Sequence, residues 1–196
     1  MRNFFKLGKL KYSRMIAIAF VIAILCSILF ASVPTYAAPS DRYWVGGSGN
    51  WSDTAHWDYH DGGAGGDPVP DWETHVYVNS NSDTGAGFTI TINVAATCGD
   101  IDFSLVDQIP TLAGSSTLGI YGSVVLVNTM VRTYTGAITF ASTGAETLSF
   151  TTITMASSIN FNGVGGSWQL VDALNNGTSQ ITLTNGTLDT NGQTVT

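Results

Sequence analysis

The chain of 196 residues contains little cysteine and little positive charge. Its two cysteines are Cys26 and Cys98, and of its seven basic residues only Arg42 and Arg132 lie beyond residue 38. A single cysteine in that part excludes an internal disulfide, so the fold there must rest on packing, with Cys98 expected as an inert buried thiol. Nucleic acid is not an expected partner, because binding phosphates requires clustered lysine and arginine.

Helix-forming residues are also scarce beyond residue 38. No segment there has sustained apolar spacing at i, i+3, i+4 and i+7, whereas Thr, Ser, Asn, Gly, Ile and Val dominate. This composition favours short strands joined by tight turns. All fourteen acidic residues lie in this part, against two basic ones, so its formal net charge is −12. An acidic exterior is typical of proteins that are soluble or that meet divalent cations or neutral glycans.

The first 38 residues have the order of a secretory signal peptide. Five basic residues precede a largely apolar run over 15–33, and the small residues Ala37 and Ala38 offer sites for a peptidase. The alternative is an uncleaved membrane anchor, since the apolar run is long enough to span a bilayer. We therefore predict a secreted or cell-surface protein that meets the membrane only through its signal peptide.

An apolar–any–apolar unit recurs along the rest of the chain. Its starts are 17, 20, 21 and 22 residues apart, at Ile101, Leu118, Ile138, Ile159 and Ile181. A second series, about half a period later, starts at Leu148, Trp168 and Leu188. A repeat of about 20 residues with two or three short strands is the requirement for one coil of a parallel β-solenoid. The predicted fold is all-β, a right-handed parallel β-helix with an aromatic N-terminal cap. An antiparallel β-sandwich is the alternative, because closely spaced strands and Asn-Gly turns suit it too.

This prediction divides the chain into a signal peptide (1–38), a Trp/His/Gly-rich capping segment (39–83) and solenoid repeats (84–196). Alternation within the repeats predicts inward faces formed by two sets of residues, Phe88, Ile90, Ile92 and Val94, and Ile101, Phe103 and Leu105. The sequence stops in the middle of a predicted rung, so we expect a longer parent protein or a docking partner.

The capping segment carries a specific motif. It reads Trp-Val-Gly-Gly-Ser-Gly-Asn-Trp-Ser over 44–52, followed by Trp57, a Gly/Pro loop over 62–70 and Val-Tyr-Val over 76–78. This motif resembles the opening of large bacterial secreted and surface proteins of the adhesin or autotransporter-associated β-helix repeat families. The resemblance covers about 43–78 and implies a β-helix in a cell-surface setting. Because those families have no common active site, it implies no catalytic residue.

The tryptophans of this segment allow two interpretations. Trp44 and its neighbours could plug the exposed first rung of the solenoid, as large apolar side chains do. Alternatively, Trp51, Trp57 and Trp72 could form a stacking platform for sugar rings, with Asp58 as a polar neighbour. The second interpretation makes these four residues the candidate glycan site.

Metal sites are less strongly indicated. His56 and His60 have spacing that can bind zinc or copper, but that spacing works best on a helix, and Gly62 and Gly63 argue against one. We expect loop histidines packed on tryptophan and no metal. Asp100 and Asp102 lie on one outward strand face, where they could hold Ca²⁺ or simply be solvated, and we expect solvation and no cofactor.

The predicted function is an exported structural or adhesin-like cell-surface module without catalysis, with extracellular glycans or other cell-surface proteins as partners. The alternatives are an extracellular glycan-binding module and a polysaccharide lyase or hydrolase. Glycoside hydrolysis needs paired carboxylates, whereas those of the repeats are scattered over different rungs. A lyase would need a basic residue, for which Arg132 is the sole candidate.

Overall fold

The computed structural model describes residues 40–196, so the predicted signal peptide lies outside the described residues. Within the described part, the regular structure consists of short strands and one 3-10 turn, Thr54–His56. The strands form three ladders, although the first and last coils do not contribute a strand to every ladder. All but one of the strand pairings are parallel. The predicted parallel β-helix is confirmed, and the alternative antiparallel sandwich is wrong.

The three ladders are called faces A, B and C. Face A contains β1 (Asp41–Trp44), β4 (His75–Tyr77), β7 (Ile101–Asp102), β10 (Val124–Val125), β13 (Ala145–Ser149) and the second halves of β14 (Ile159–Leu170) and β15 (Ile181–Asp189). Face B contains β2 (Gly49–Asn50), β5 (Gly87–Ile92), β8 (Ile109–Gly114) and β11 (Val131–Arg132). Face C contains β6 (Ala96–Cys98), β9 (Leu118–Ile120), β12 (Ile138–Phe140) and the first halves of β14 and β15. A further strand, β3 (Trp57–Asp58), runs antiparallel to β1.

Apolar side chains stack in register along the inside of each ladder. On face A the stacked residues are 25, 23, 24 and 22 residues apart, at Val76, Ile101, Val124, Leu148 and Leu170. All five are buried. The matching row on face C is Ala96, Leu118, Ile138, Ile159 and Ile181. Because each buried residue lies above a similar one, the core repeats from coil to coil.

Aromatic rings fill the centre of the later coils. Phe140 and Phe161 occupy the same register position on adjacent coils, and their rings stack with centroids 4.9 Å apart. Trp168 lies 5.2 Å from Phe161 and is fully buried. Stacked large rings supply much apolar contact area in a fold that has no disulfide among its described residues.

Strand β14 is unusually long because it turns a corner between two faces. Its first half pairs with face C and its second half with face A, with register shifts between Phe161 and Ser167. Gly163 and Gly166 lie at this corner, where a side chain on either would overlap the carbonyl oxygen of Ser142 in the preceding coil. Glycine is required here by close backbone approach.

The capping segment is continuous with the repeats. Strand β1 pairs with β4 and β2 pairs with β5, so the segment over 39–83 supplies the first strands of faces A and B. The inward alternation ends earlier than predicted, because β5 stops at Ile92 and β7 at Asp102. Val94 and Leu105 lie beyond these ends and are 43% and 72% exposed.

Candidate binding surfaces

Three tryptophans form a buried cluster in the first coil. Trp57 lies edge-on to Trp44 and Trp51, with ring centroids 4.9 Å and 4.7 Å away. Its indole Nε1 donates to the carbonyl oxygen of Trp51 at 2.7 Å, and Nε1 of Trp44 donates to Gly47 at the same distance. This first-coil tryptophan cluster (Trp44, Trp51, Trp57) has the packing expected of the aromatic cap.

The predicted sugar platform is therefore not assembled as a unit. Trp51 and Trp57 are 2% and 0% exposed, so a sugar ring has no access to their faces. The three indoles cover one another's faces by packing edge-on, and the sequence alone does not reveal this packing. Trp72 is the member of the predicted set whose ring is open to solvent, at 52% exposure.

Asp58 supports the glycine-rich loop. Its carboxylate accepts hydrogen bonds from the backbone N–H groups of His60 at 2.8 Å and Gly65 at 3.0 Å. The His60 bond is the main reason that the pKa of Asp58 lies below its ordinary value. Gly63 packs so closely on this carboxyl group that a side chain there would overlap it. Asp58 thus faces the loop of its own coil, which leaves it little access to a ligand.

The two candidate metal-binding histidines bind different partners. The ring of His56 stacks on Trp44, 4.9 Å away and 6° from parallel, and its Nδ1 lies 2.8 Å from the Val45 carbonyl oxygen. His60 pairs with Asp58 at 3.2 Å. Residues 40–196 contain no group of three or more His, Cys, Asp or Glu side chains arranged to hold a metal ion.

Trp72 has an aromatic neighbour that the sequence analysis missed. It lies just before β4, and Tyr121 lies just after β9 in a later coil. Their ring centroids are 5.9 Å apart with planes at 57°, and Tyr121 is 37% exposed. Two half-exposed rings at one corner of the solenoid form an apolar surface that can pack against a flat partner.

A second aromatic pair lies on the outside of face A. Tyr43 and Tyr77 are paired in register on β1 and β4, and their rings stack with centroids 5.3 Å apart. Beside them is a groove of about 310 Å³, also lined by Asp41, Asp61, Val78, Asn79, Asp102, Ser104 and Leu105. We call this the face A groove. Sequence analysis missed it because the two tyrosines are 34 residues apart, across the glycine-rich loop.

Side chains further along face A join one coil to the next. Asp100 accepts a hydrogen bond from the Ser123 N–H at 2.7 Å and lies 2.6 Å from Nδ1 of His75. The Ser123 hydroxyl donates in turn to Glu146 at 2.9 Å. Asp102, the other aspartate of the predicted outward pair, accepts from the N–H of Ser104 at 2.6 Å.

Arg132, the candidate lyase residue, is half-buried. Its Nη2 donates to the Ser157 hydroxyl, and its guanidinium lies 5.5 Å from the ring centroid of Tyr134. Burial lowers the pKa of Arg132 to about 10 and raises that of Tyr134 to about 12. The arginine is thus held by contacts within the solenoid.

Comparisons with protein-family models, curated proteins and solved structures found no match for this chain. In the described part, no helix has the length and apolar character that crossing a membrane requires.

Proposed function

We propose that this chain is an exported, non-catalytic β-helix module with a structural or adhesin-like role at the bacterial cell surface. Three features of the sequence support this proposal. They are the signal-peptide order of residues 1–38, the resemblance of the motif over 43–78 to surface β-helix families, and the acidic composition without lysine beyond residue 38.

The observation that carries the structural role is the use of exterior side chains as ties between coils. Asp100, Ser123 and Glu146 link three successive coils of face A through two hydrogen bonds. Similar ties recur at Ser149–Asp172, Gln169–Asp189, Asn160–Thr184 and Asn162–Asn185. An inner apolar ladder combined with an outer polar ladder favours a stiff rod.

The same ties support a role without catalysis. A glycosidase needs two carboxyl groups that face each other across the bound sugar. Glu146 instead accepts hydrogen bonds from the hydroxyls of Ser123 and Ser142, and Asp172 accepts from Ser149. These carboxylates therefore accept hydrogen bonds within the solenoid itself and do not face each other across a cleft.

Expression of the full chain in a bacterial host tests the proposal. We expect the protein outside the cytoplasm, with an N-terminus directly after Ala37 or Ala38 and with digestion by protease added to intact cells. The matched control lacks residues 2–38 and should remain in the cytoplasm. Retention of the full chain in the cytoplasm would contradict export, and depolymerisation of a polysaccharide by the purified chain would contradict the non-catalytic role.

Glycan binding is the second candidate function, and the exposed Trp72–Tyr121 pair favours it. Exposed aromatic side chains provide apolar faces for sugar rings. On an array of neutral glycans, Trp72→Ala should lower the signal of the glycans that bind. Tyr59→Ala removes another exposed ring and should leave the signal unchanged. Equal binding by wild type and Trp72→Ala would remove this pair from consideration.

A further inference from the structure

The face A groove lies where a row of tyrosines on the outside of the solenoid gives way to a shorter side chain. Tyr43, Tyr77 and Asp102 share one register position on β1, β4 and β7. The two tyrosine rings stack, with planes 24° from parallel. The change from tyrosine to aspartate leaves room beside Tyr77, and this room is the groove of about 310 Å³.

The charge of the groove is negative. Asp41, Asp61 and Asp102 line it, and among the described residues that form its wall there is no lysine, arginine or histidine. Asn79 donates to Oδ1 of Asp61 at 2.9 Å, and the Ser104 N–H donates to Oδ1 of Asp102. These bonds engage one oxygen of each carboxylate and hold the group in position.

Arg42, the nearest arginine in sequence, forms no ion pair with the described carboxylates of the groove. Arg42 lies between two groove residues on β1 and points to the opposite side of the strand, as alternation requires. Its guanidinium lies 3.7 Å from the ring centroid of Tyr59 and donates to the backbone carbonyl oxygens of Pro68 and Asp41, not to a side-chain carboxylate. A cationic ligand would therefore supply the charge that the groove lacks.

The phenol groups add hydrogen-bond donors to the groove. Burial, followed by the charge of Asp41, raises the pKa of both Tyr43 and Tyr77 above the ordinary value of 10.0. Both hydroxyls therefore stay protonated at neutral pH and can donate to an oxygen of a ligand.

We propose that the face A groove binds a glycan whose sugar rings carry protonated amino groups. The stacked tyrosines offer an apolar surface to the flat side of a sugar ring, and the three carboxylates pair with its ammonium group. The volume of the groove is at the lower end of the range for ligand pockets, about 300–1,000 Å³, so the groove suits a short stretch of a glycan chain. The inference names a ligand class for the proposed adhesive role and rests on that role.

A matched pair of ligands tests the inference. The purified chain is titrated calorimetrically with a β-1,4-linked glucosamine hexamer, at a pH of about 5.5 so that the amino groups of the hexamer are protonated. The N-acetylglucosamine hexamer has the same backbone without the charge. We expect the charged hexamer to bind at least about tenfold more tightly, and its affinity to fall as salt is added. Equal affinity for the two hexamers, or binding of neither, would overturn the inference.

Variants locate the binding in the groove. Tyr77→Ala should weaken binding of the glucosamine hexamer about tenfold, whereas Tyr77→Phe retains the ring and should retain most of the affinity. Asp102→Asn keeps the acceptor for Ser104 but removes a charge, so it should weaken binding and flatten the salt dependence. Tyr59→Ala is the control, because it removes an exposed ring that does not line the groove. If Tyr77→Ala fails to fold, the Asp102→Asn result decides.

Two further outcomes separate this inference from the proposed function. A hexalysine peptide that binds as tightly as the glucosamine hexamer would show that the groove selects charge alone, and would overturn the assignment to a glycan. Failure of the hexamers to bind a chain that is found at the cell surface would sink the ligand assignment and leave the surface role intact. If the chain binds the charged hexamer but is found in the cytoplasm, the surface role is wrong and the ligand assignment stands.

Discussion

Replacing Trp57 by alanine removes a ring that lies edge-on to two other indoles and donates a hydrogen bond to the carbonyl oxygen of Trp51. Because Trp57 is fully buried, the change leaves a cavity in the first coil. We expect Trp57→Ala to lower the free energy of unfolding by about 3–5 kcal/mol, measured by urea denaturation.

Trp72 provides the matched control. It belongs to the same segment and is half exposed, so Trp72→Ala should cost less than about 1 kcal/mol. Equal losses for the two variants would contradict the placement of the tryptophans.

Asp58 gives the glycine-rich loop a pH dependence. Its pKa in the folded chain is lower than the ordinary value of 3.8, chiefly because the His60 N–H donates to it. Its carboxylate therefore stabilises the loop at pH values above 3.8, and this contribution is lost as the pH falls through the lowered pKa. Hydrogen-exchange protection of the His60 and Gly65 amides should fall between about pH 5 and about pH 2.

The matched variant is Asp58→Asn, which keeps an oxygen acceptor and removes the titrating group. Its protection factors should be lower at neutral pH and should vary less over the same range. An unchanged pH profile in Asp58→Asn would assign the effect to another group.

The residue types of the opening segment indicated its chemistry but did not indicate how its side chains are arranged in space. Aromatic and acidic residues drew attention to this segment, but nothing in the sequence distinguishes buried Trp51 from exposed Trp72. Burial is decided by which rings pack together in space, and that depends on the pairing of β1 with β3 and β4. The same pairing creates the Tyr43–Tyr77 stack, which local spacing does not predict.

At the level of the strand, the corner of β14 makes a sharp prediction. A methyl group on Gly163 would overlap the carbonyl oxygen of Ser142, which belongs to the backbone of the preceding coil and moves only with it. We expect Gly163→Ala to destabilise the fold by about 1–3 kcal/mol in thermal or urea unfolding.

Gly144→Ala is the control for this variant. The nearest atom that its methyl group would meet is Oε1 of Glu146, at 3.3 Å, at the end of a side chain rather than on the backbone. Its effect should stay within about 0.5 kcal/mol. A neutral Gly163→Ala variant would show that the backbone at this corner is looser than described.

The apolar repeat in the sequence predicted that the strands form parallel ladders, but it predicted only some of the residue pairs within them. Leu118, Ile138, Ile159 and Ile181 do stack on face C, and Trp168 and Leu188 are paired. Ile101 instead belongs to face A, and Leu148 pairs with Leu170 rather than Trp168. Period-two alternation offers several equivalent apolar residues per strand, and corners of unequal length determine which of them align.

For the molecule as a whole, the rate at which Cys98 reacts with a thiol reagent measures how often the core opens. The thiol is fully buried on face C, and burial raises its pKa, so the reactive thiolate is scarce. We expect Cys98 of the native chain to react with a thiol reagent such as dithiobis(nitrobenzoate) only at the rate at which the solenoid opens. In denaturant the reaction should be complete at once.

The Cys98→Ala variant supplies the background, including any signal from Cys26 where the leader is retained. Rapid reaction of the native chain at Cys98 would mean that the solenoid opens far more readily than its packing implies.

Both arginines of the described part are engaged with aromatic rings of the solenoid, Arg42 with Tyr59 and Arg132 with Tyr134. The part of the chain beyond residue 38 therefore has a strongly negative surface, which attracts counterions. At low ionic strength this charge makes copies of the chain repel one another, and added salt screens the repulsion.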